Sequence, residues 1–218
     1  MITLTEENYI KAIYHLASNG EKTVNTNAIA AVMQTKASSV TDMIKKLSEK
    51  SYVDYKKYQG ATLTDDGKRV AVNIIRKHRL WEVFLVEKLN FSWDEVHEVA
   101  EHLEHIKSDK LIDELDALLE FPSHDPHGDP IPDKEGNFKH IEKIMLAKAE
   151  AGSTYKCVGV DDTSSKFLKY LDSNSIALGT IITIKHKEPY DNSVKIAFEN
   201  TEIVVSQNVA KNIYLKKV

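Results

Sequence analysis

Apolar positions in the first third of the chain recur with a helical period. Tyr9, Ile10, Ile13, Leu16 and Ala17 share one face of a helix that opens at Thr5, the expected N-cap, and stops at Ser18-Asn19-Gly20. Ala28, Ile29 and Val32 mark a short second helix over residues 25–33, and Gln34-Thr35 a tight turn. Val40, Met43, Ile44 and Leu47 mark a third helix, led in by Lys36-Ala37-Ser38-Ser39. Residues 52–63 then alternate, with Gly60 at the bend, and predict a β-hairpin. Thr64-Asp65-Asp66-Gly67 caps a long helix carrying Val70, Ile74, Ile75, Leu80, Val83, Phe84 and Leu89. Residues 94–120 predict two helices broken near Ser108-Asp109, and residues 139–149 a short helix. Beyond a hinge at Ala151-Gly152-Ser153 the period changes. Strands are expected at 154–160, 181–187, 194–198 and 202–205, with turns at Asp191-Asn192 and Glu199-Asn200 and a short helix over 164–171. Short strands at this spacing build a small barrel.

Helix, helix, tight turn, helix, hairpin is the order of a winged helix-turn-helix, whose third helix enters the major groove. That helix begins with small residues (Ala37, Ser38, Ser39, Thr41, Asp42) able to approach base edges. Lys36, Lys45 and Lys46, with Lys56 and Lys57 in the wing, are placed for phosphates, and Thr26 at the start of the second helix joins the candidate contacts. The expected fold is mainly α with small β parts. It divides into a DNA-binding domain at 1–64, a helical domain at 65–150 and a small β domain at 151–218.

Charge sharpens this division. The net charge of −4 hides a balance of +5 over residues 1–80, −11 over 81–150 and +2 over 151–218. A basic head and an acidic middle fit DNA at one end and a cation in the centre. The lone Cys157 excludes a disulfide framework and a Cys-rich zinc site, and its place in a strand makes it a packing residue rather than a redox sensor. No apolar run is long enough to span a membrane, and the N-terminus does not read as a signal peptide, so a cytoplasmic location is expected.

The acidic middle also holds the candidate chemistry. His97, Glu101, Glu104 and His105 follow at i, i+4, i+7 and i+8 and share one helical face. His78 and Glu82 repeat the i, i+4 pair one helix earlier. Imidazole with carboxylate oxygen is a donor set for a divalent transition metal. The loop at 121–136 holds four of the five prolines. Its His124, His127 and Asp residues have donor chemistry too, but they read as loop residues fixed by the prolines.

Several motifs in order resemble the diphtheria toxin repressor family of metal-dependent bacterial transcription regulators. They are Thr5-Glu6-Glu7-Asn8-Tyr9-Ile10, Ser38-Ser39-Val40-Thr41, Leu63-Thr64-Asp65-Asp66-Gly67, Arg76-Lys77-His78-Arg79-Leu80-Trp81-Glu82, Val96-His97, Glu104-His105 and Pro126-His127-Gly128-Asp129-Pro130-Ile131-Pro132. The likeness covers essentially the whole chain. It implies that residues 65–150 form a metal-binding and dimerisation domain and residues 151–218 an SH3-like domain. It also implies a homodimer on palindromic double-stranded operator DNA, repression of manganese or iron uptake genes, and two metal sites per subunit. The primary site would join Asn8 to Glu101, Glu104 and His105. The ancillary site would use His78, Glu82 and His97, completed by Asp161 or Asp162, with Thr163 and Lys166 near the matching positions of some members. Iron-responsive members carry Cys where this chain has Glu101, and a carboxylate there favours manganese(II) over iron(II). Met or Asp is usual where Asn8 stands. Lys11 replaces an acidic ligand of some manganese members, which argues against a second manganese at that place.

Two other readings compete. A metallohydrolase built on His97-Glu98-Val99-Ala100-Glu101 lacks the second His that a zinc-protease helix needs at i+4. A winged-helix regulator of a small organic ligand, with incidental histidines, is the other.

Overall fold

The computed structural model describes residues 2–139, 142–199 and 201–218. Its elements run α1 (Leu4–Leu16), α2 (Thr26–Val32), α3 (Ala37–Glu49), β1 (Val53–Lys56), β2 (Gly60–Leu63), α4 (Asp65–Leu89), α5 (Val96–Leu103), α6 (Asp109–Leu118), β3 (Ile144–Met145), β4 (Thr154–Val160), α7 (Ser165–Ser173), β5 (Ile181–Lys187), β6 (Val194–Phe198), β7 (Thr201–Val205), α8 (Gln207–Lys211) and β8 (Ile213–Lys217). They form two compact units, with boundaries inside α4 after His78 and inside α5 after Ala100.

The first unit comprises residues 1–78, 101–113 and 132–138. Its core joins Ile10 and Ile13 of α1, Ile29 of α2, Val40, Ile44 and Leu47 of α3, Val53 and Leu63 of the hairpin, and Ile75 of α4. Most of the apolar stripes read from the sequence are buried, but Leu16 at the end of α1 and Val32 at the end of α2 are exposed. The hairpin is antiparallel, pairing Val53 with Leu63 and Lys56 with Gly60. Gly60 has φ +118°, and a Cβ there would stand 2.4 Å from the Val24 carbonyl oxygen. Only glycine combines that backbone with that approach.

The expected cap of α1 is corrected by one position pair. Thr3, not Thr5, caps the helix, and Glu6 reaches back to the Thr3 amide in a capping box. Glu6 is fully buried and receives Lys50 Nζ at 2.8 Å and Lys46 Nζ at 3.1 Å from α3 and its C-cap. Burial pushes its carboxyl pKa up, but those lysines and the Thr3 amide win and hold it at about 2. This carboxylate therefore ties α1 to α3.

The second unit comprises residues 79–100, 114–131 and 139–218. Its sheet has six strands in the order β3-β8-β4-β5-β6-β7. Leu146, Tyr155, Leu168, Leu171, Ile182, Ile184, Ile196 and Leu215 fill its core. The helix expected over 139–149 is not formed by the residues described there; His140 and Ile141 lie outside them. Ile144 and Met145 instead pair with Leu215 and Tyr214 as β3, and Leu146–Lys148 makes a single 3-10 turn. The Lys/Glu/Leu/Ala composition favours a helix weakly, and pairing with β8 overrides it. The second residue of the expected Glu199-Asn200 turn also lies outside the described residues.

The proline loop sits against β4 through Gly128, whose φ is +85° and whose Cβ would come within 2.1 Å of the Val158 carbonyl oxygen. Beside it the Val160 amide donates to the His127 carbonyl at 2.9 Å. Among the described residues no helix is long and apolar enough to cross a membrane.

Candidate metal centre

α1 carries Glu7, Asn8 and Lys11 within one turn. Glu101 lies at the end of α5, and Glu104 and His105 just beyond it. The first unit brings these two segments together. His105 Nδ1 lies 2.6 Å from Glu7 Oε2, and Lys107 Nζ lies 3.8 Å from the other oxygen of Glu7. Lys11 Nζ donates to Glu101 Oε1 at 2.8 Å and to Glu104 Oε2 at 2.6 Å. His78 Nδ1 is 2.6 Å from the same Glu104 oxygen. Buried Lys77 is shaped by this acidic ground: burial pushes its pKa down, while Glu7, Glu104 and Asp109 pull it back up.

Two oxygens here have no hydrogen-bond partner among the described residues: Asn8 Oδ1 and Glu104 Oε1, both buried. Glu104 is 0% exposed, so that oxygen has no water-facing alternative. Leaving a buried acceptor unsatisfied costs about 1–3 kcal/mol, more for a charged one. His105 Nε2 lies 3.8 Å from Glu104 Oε1. A carboxylate held at one ring nitrogen leaves the other to face a cation, the usual arrangement of a metal-binding histidine. Oxygen, oxygen and imidazole nitrogen fit a divalent transition cation.

The structure thus brings Asn8 of α1 into one unit with Glu101, Glu104 and His105. His78, assigned by resemblance to the other site, bonds to this cluster. Glu7 was not picked out from the sequence. It lies 98 positions from His105, and nothing in its local spacing marks it.

Glu82 and His97 lie in the second unit, with Glu82 Oε1 3.4 Å from His97 Nδ1. The other Glu82 oxygen is 3.6 Å from His127 Nδ1, and Asp125 lies close enough to complete a three-residue donor group. His127 Nε2 donates to the Trp93 carbonyl at 2.8 Å. Burial would lower the His127 pKa, but the Glu82 bond and the Glu82 and Asp125 charges raise it to about 9. Burial and the charges of Glu82 and Asp129 lift Asp125 to about 7, against Arg79. Asp161 accepts from the Tyr214 hydroxyl at 3.0 Å, and Asp162 accepts from the Ser164 amide at 2.8 Å.

On the expected DNA face, Lys36, Ala37, Ser38, Ser39, Asp42, Lys45, Lys46, Lys56 and Lys57 are exposed, and Thr26 and Thr41 are half-buried. Thr41 donates its hydroxyl to the Ala37 carbonyl at 2.9 Å. Lys46 is shared with Glu6, so its ammonium has an internal partner as well as an outward path.

Three family models match in series. The iron dependent repressor N-terminal DNA binding domain covers residues 1–61, the iron dependent repressor metal binding and dimerisation domain residues 64–133, and the FeoA domain residues 144–217. The transcriptional regulator MntR of Oceanobacillus iheyensis is 34% identical over 145 residues, covering 66% of this chain and 91% of that one. A solved manganese-dependent transcriptional repressor in complex with manganese is 32% identical with a TM-score of 0.84, covering 98% of this chain and all of that one. The structure of ScaR with bound Cd2+ is 33% identical with a TM-score of 0.77, covering 98% of this chain and 99% of that one. The chain belongs to the diphtheria toxin repressor family, the iron-dependent repressors with an N-terminal DNA-binding domain, a metal-binding and dimerisation domain and a C-terminal FeoA domain.

Proposed function

We propose that this protein is a cytoplasmic, homodimeric repressor that binds operator DNA when a divalent cation joins α1 to the end of α5. The observations that carry the proposal are two buried oxygens without a hydrogen-bond partner among the described residues, Asn8 Oδ1 on α1 and Glu104 Oε1, the latter 3.8 Å from His105 Nε2. Asn8, Glu101, Glu104 and His105 would hold the primary cation. When bound, that ion supplies positive charge to a cluster rich in carboxylates. Glu7 would hold the His105 ring through Nδ1, and it stands one position before Asn8 on α1. Manganese(II) is favoured over iron(II), because three of the four donors are oxygens and none is sulfur.

A second cation would use Glu82 and His97 of the second unit, two of the ligands that the family resemblance implies. Asp161 and Asp162 already accept hydrogen bonds from Tyr214 and Ser164, whereas His127 Nδ1 lies 3.6 Å from Glu82 Oε2. Residues 1–64, 65–150 and 151–218 would serve as DNA-binding, metal-binding and dimerisation, and SH3-like domains. Two recognition helices of a dimer, about 34 Å apart, read a palindromic site one DNA turn long. Ser38, Ser39 and Asp42 on α3 would face bases, and Lys36, Lys45, Lys56 and Lys57 phosphates. Uptake genes for the cation are the natural targets of such a repressor. Family membership makes the chain a DNA-binding regulator rather than a hydrolase.

The test begins with a random duplex pool selected on the protein in Mn2+, followed by anisotropy titrations of a selected duplex with Mn2+ and with chelator. Coupling of about 1–3 kcal/mol gives roughly 5–150-fold tighter binding with metal. Glu104→Gln should lose that increment while keeping the fold. Equal affinity with chelator and with Mn2+ would refute the proposal.

A further inference from the structure

Glu104 turns its two oxygens to two different sets of neighbours. Oε1 is the unpartnered oxygen near His105 Nε2. Oε2 is engaged by Lys11 Nζ and His78 Nδ1, each at 2.6 Å. The Lys11 ammonium also holds Glu101 Oε1 at 2.8 Å and lies 3.4 Å from His78 Nδ1. Its side chain is only 12% exposed. Two carboxylate oxygens at 2.6 and 2.8 Å are the surroundings of a small cation, here supplied by the chain itself.

We infer that Lys11 is a tethered cation that fills one half of this cluster and clamps α1 to Glu101 and Glu104 in the metal-free protein. An untethered acidic cluster would be driven apart by Glu101–Glu104 repulsion; Lys11 turns that repulsion into two ion pairs reaching from α1. The metal-free chain thereby keeps part of the α1 grip that a divalent ion completes. The half that faces Asn8 Oδ1, Glu104 Oε1 and His105 Nε2 takes one added ion, and the Lys11 half takes none. A Met at position 11 would keep the length and packing of the side chain but not its charge, and an Arg would keep the charge.

The clamp itself does not depend on the proposed metal response; only the statement that one ion completes it rests on that reading. Hydrogen exchange of the α1 amides in chelator separates the two. Lys11→Met should exchange about tenfold faster than wild type across α1, and Lys11→Arg close to wild type, because breaking a buried pair leaves its partners uncompensated. Equal exchange in wild type and Lys11→Met, or equally fast exchange in Lys11→Arg, would overturn the inference. Should Lys11→Met fail to fold, the wild type still decides. NMR of lysine ammonium groups in metal-free protein should show, beside those of Lys50 and buried Lys77, a slowly exchanging signal that shifts in Glu101→Gln, and its absence would overturn the inference. Addition of MnCl2 to Lys11→Met should slow α1 exchange again. Failure there, with the metal-free difference present, leaves the clamp standing and sinks the metal reading instead.

Discussion

Glu7 and His105 are bonded at 2.6 Å across 98 positions of sequence, and this bond decides which imidazole nitrogen is available. With Nδ1 held at Glu7 Oε2, the other ring nitrogen, Nε2, lies 3.8 Å from Glu104 Oε1. A Gln at position 7 removes the negative acceptor while conserving shape. Carboxylates behind metal-binding histidines contribute about 10–100-fold in affinity. Glu7→Gln is therefore expected to weaken Mn2+ binding in calorimetry by a factor in that range. Unaltered Mn2+ affinity would show that His105 is not oriented through Glu7.

The wing presents Lys56 and Lys57 to solvent, with Lys57 Nζ 5.0 Å above the Tyr58 ring, which is itself 92% exposed. Neither lysine has an internal carboxylate among the described contacts, unlike Lys46 and Lys50, which hold Glu6. Each phosphate neutralised contributes about 0.9 to the slope of log affinity against log salt. Replacing both wing lysines by Ala should flatten that slope by about two and weaken all duplex sequences alike. A slope that does not change would take the wing off the DNA surface.

The same contrast explains what could be read from the sequence. The winged helix-turn-helix was legible because each element buries its own periodic stripe: Ile10 and Ile13 on α1, Val40, Ile44 and Leu47 on α3. Glu104 and His105 were legible as an acid–imidazole pair close to Glu101 in sequence, although α5 ends at Leu103 and the expected helical face through His105 is not continued. Glu7 was not, since its neighbour Glu6 looks the same in sequence yet serves α3 rather than the cluster. Only tertiary contact distinguishes the two acids. Likewise β3 and β8 were not visible, because Ile144 and Met145 become a strand by pairing with Leu215 and Tyr214 rather than by any period of their own. Lys11 was legible as a departure from the family pattern, but its reach to two carboxylates was not.

Cys157 lies in β4, 2% exposed, and burial pushes its thiol up to about 11, only partly offset by the Gly159 amide. At neutral pH about one such thiol in ten thousand is ionised, and the thiolate is the reactive form. Labelling with an aromatic disulfide should be slow in the folded protein at pH 7, should accelerate as pH approaches 11, and should be complete in urea. Rapid stoichiometric labelling at pH 7 without denaturant would contradict the burial and reopen a redox role.

The end of α6 leaves two large apolar side chains in solvent: Leu118 is 58% exposed and Phe121, three positions on, 68%. Single exposed apolar residues are ordinary, but two so close together on one short segment form the beginning of a patch. That segment lies within the stretch matching the metal binding and dimerisation domain. A second copy of the chain is the occupant consistent with both facts, since a two-fold axis lets one patch cover itself. Buried anchors of this size cost at least about 2 kcal/mol when lost from an interface, or roughly thirtyfold in affinity. Leu118→Arg and Phe121→Arg should each raise the dimer dissociation constant by that order in sedimentation equilibrium. DNA binding should fall with dimer content, since one recognition helix then lacks its partner, while Mn2+ binding at Glu104 and His105 persists because all its donors lie in one chain. An unchanged dimer constant in both variants would place the two-fold contact on another face.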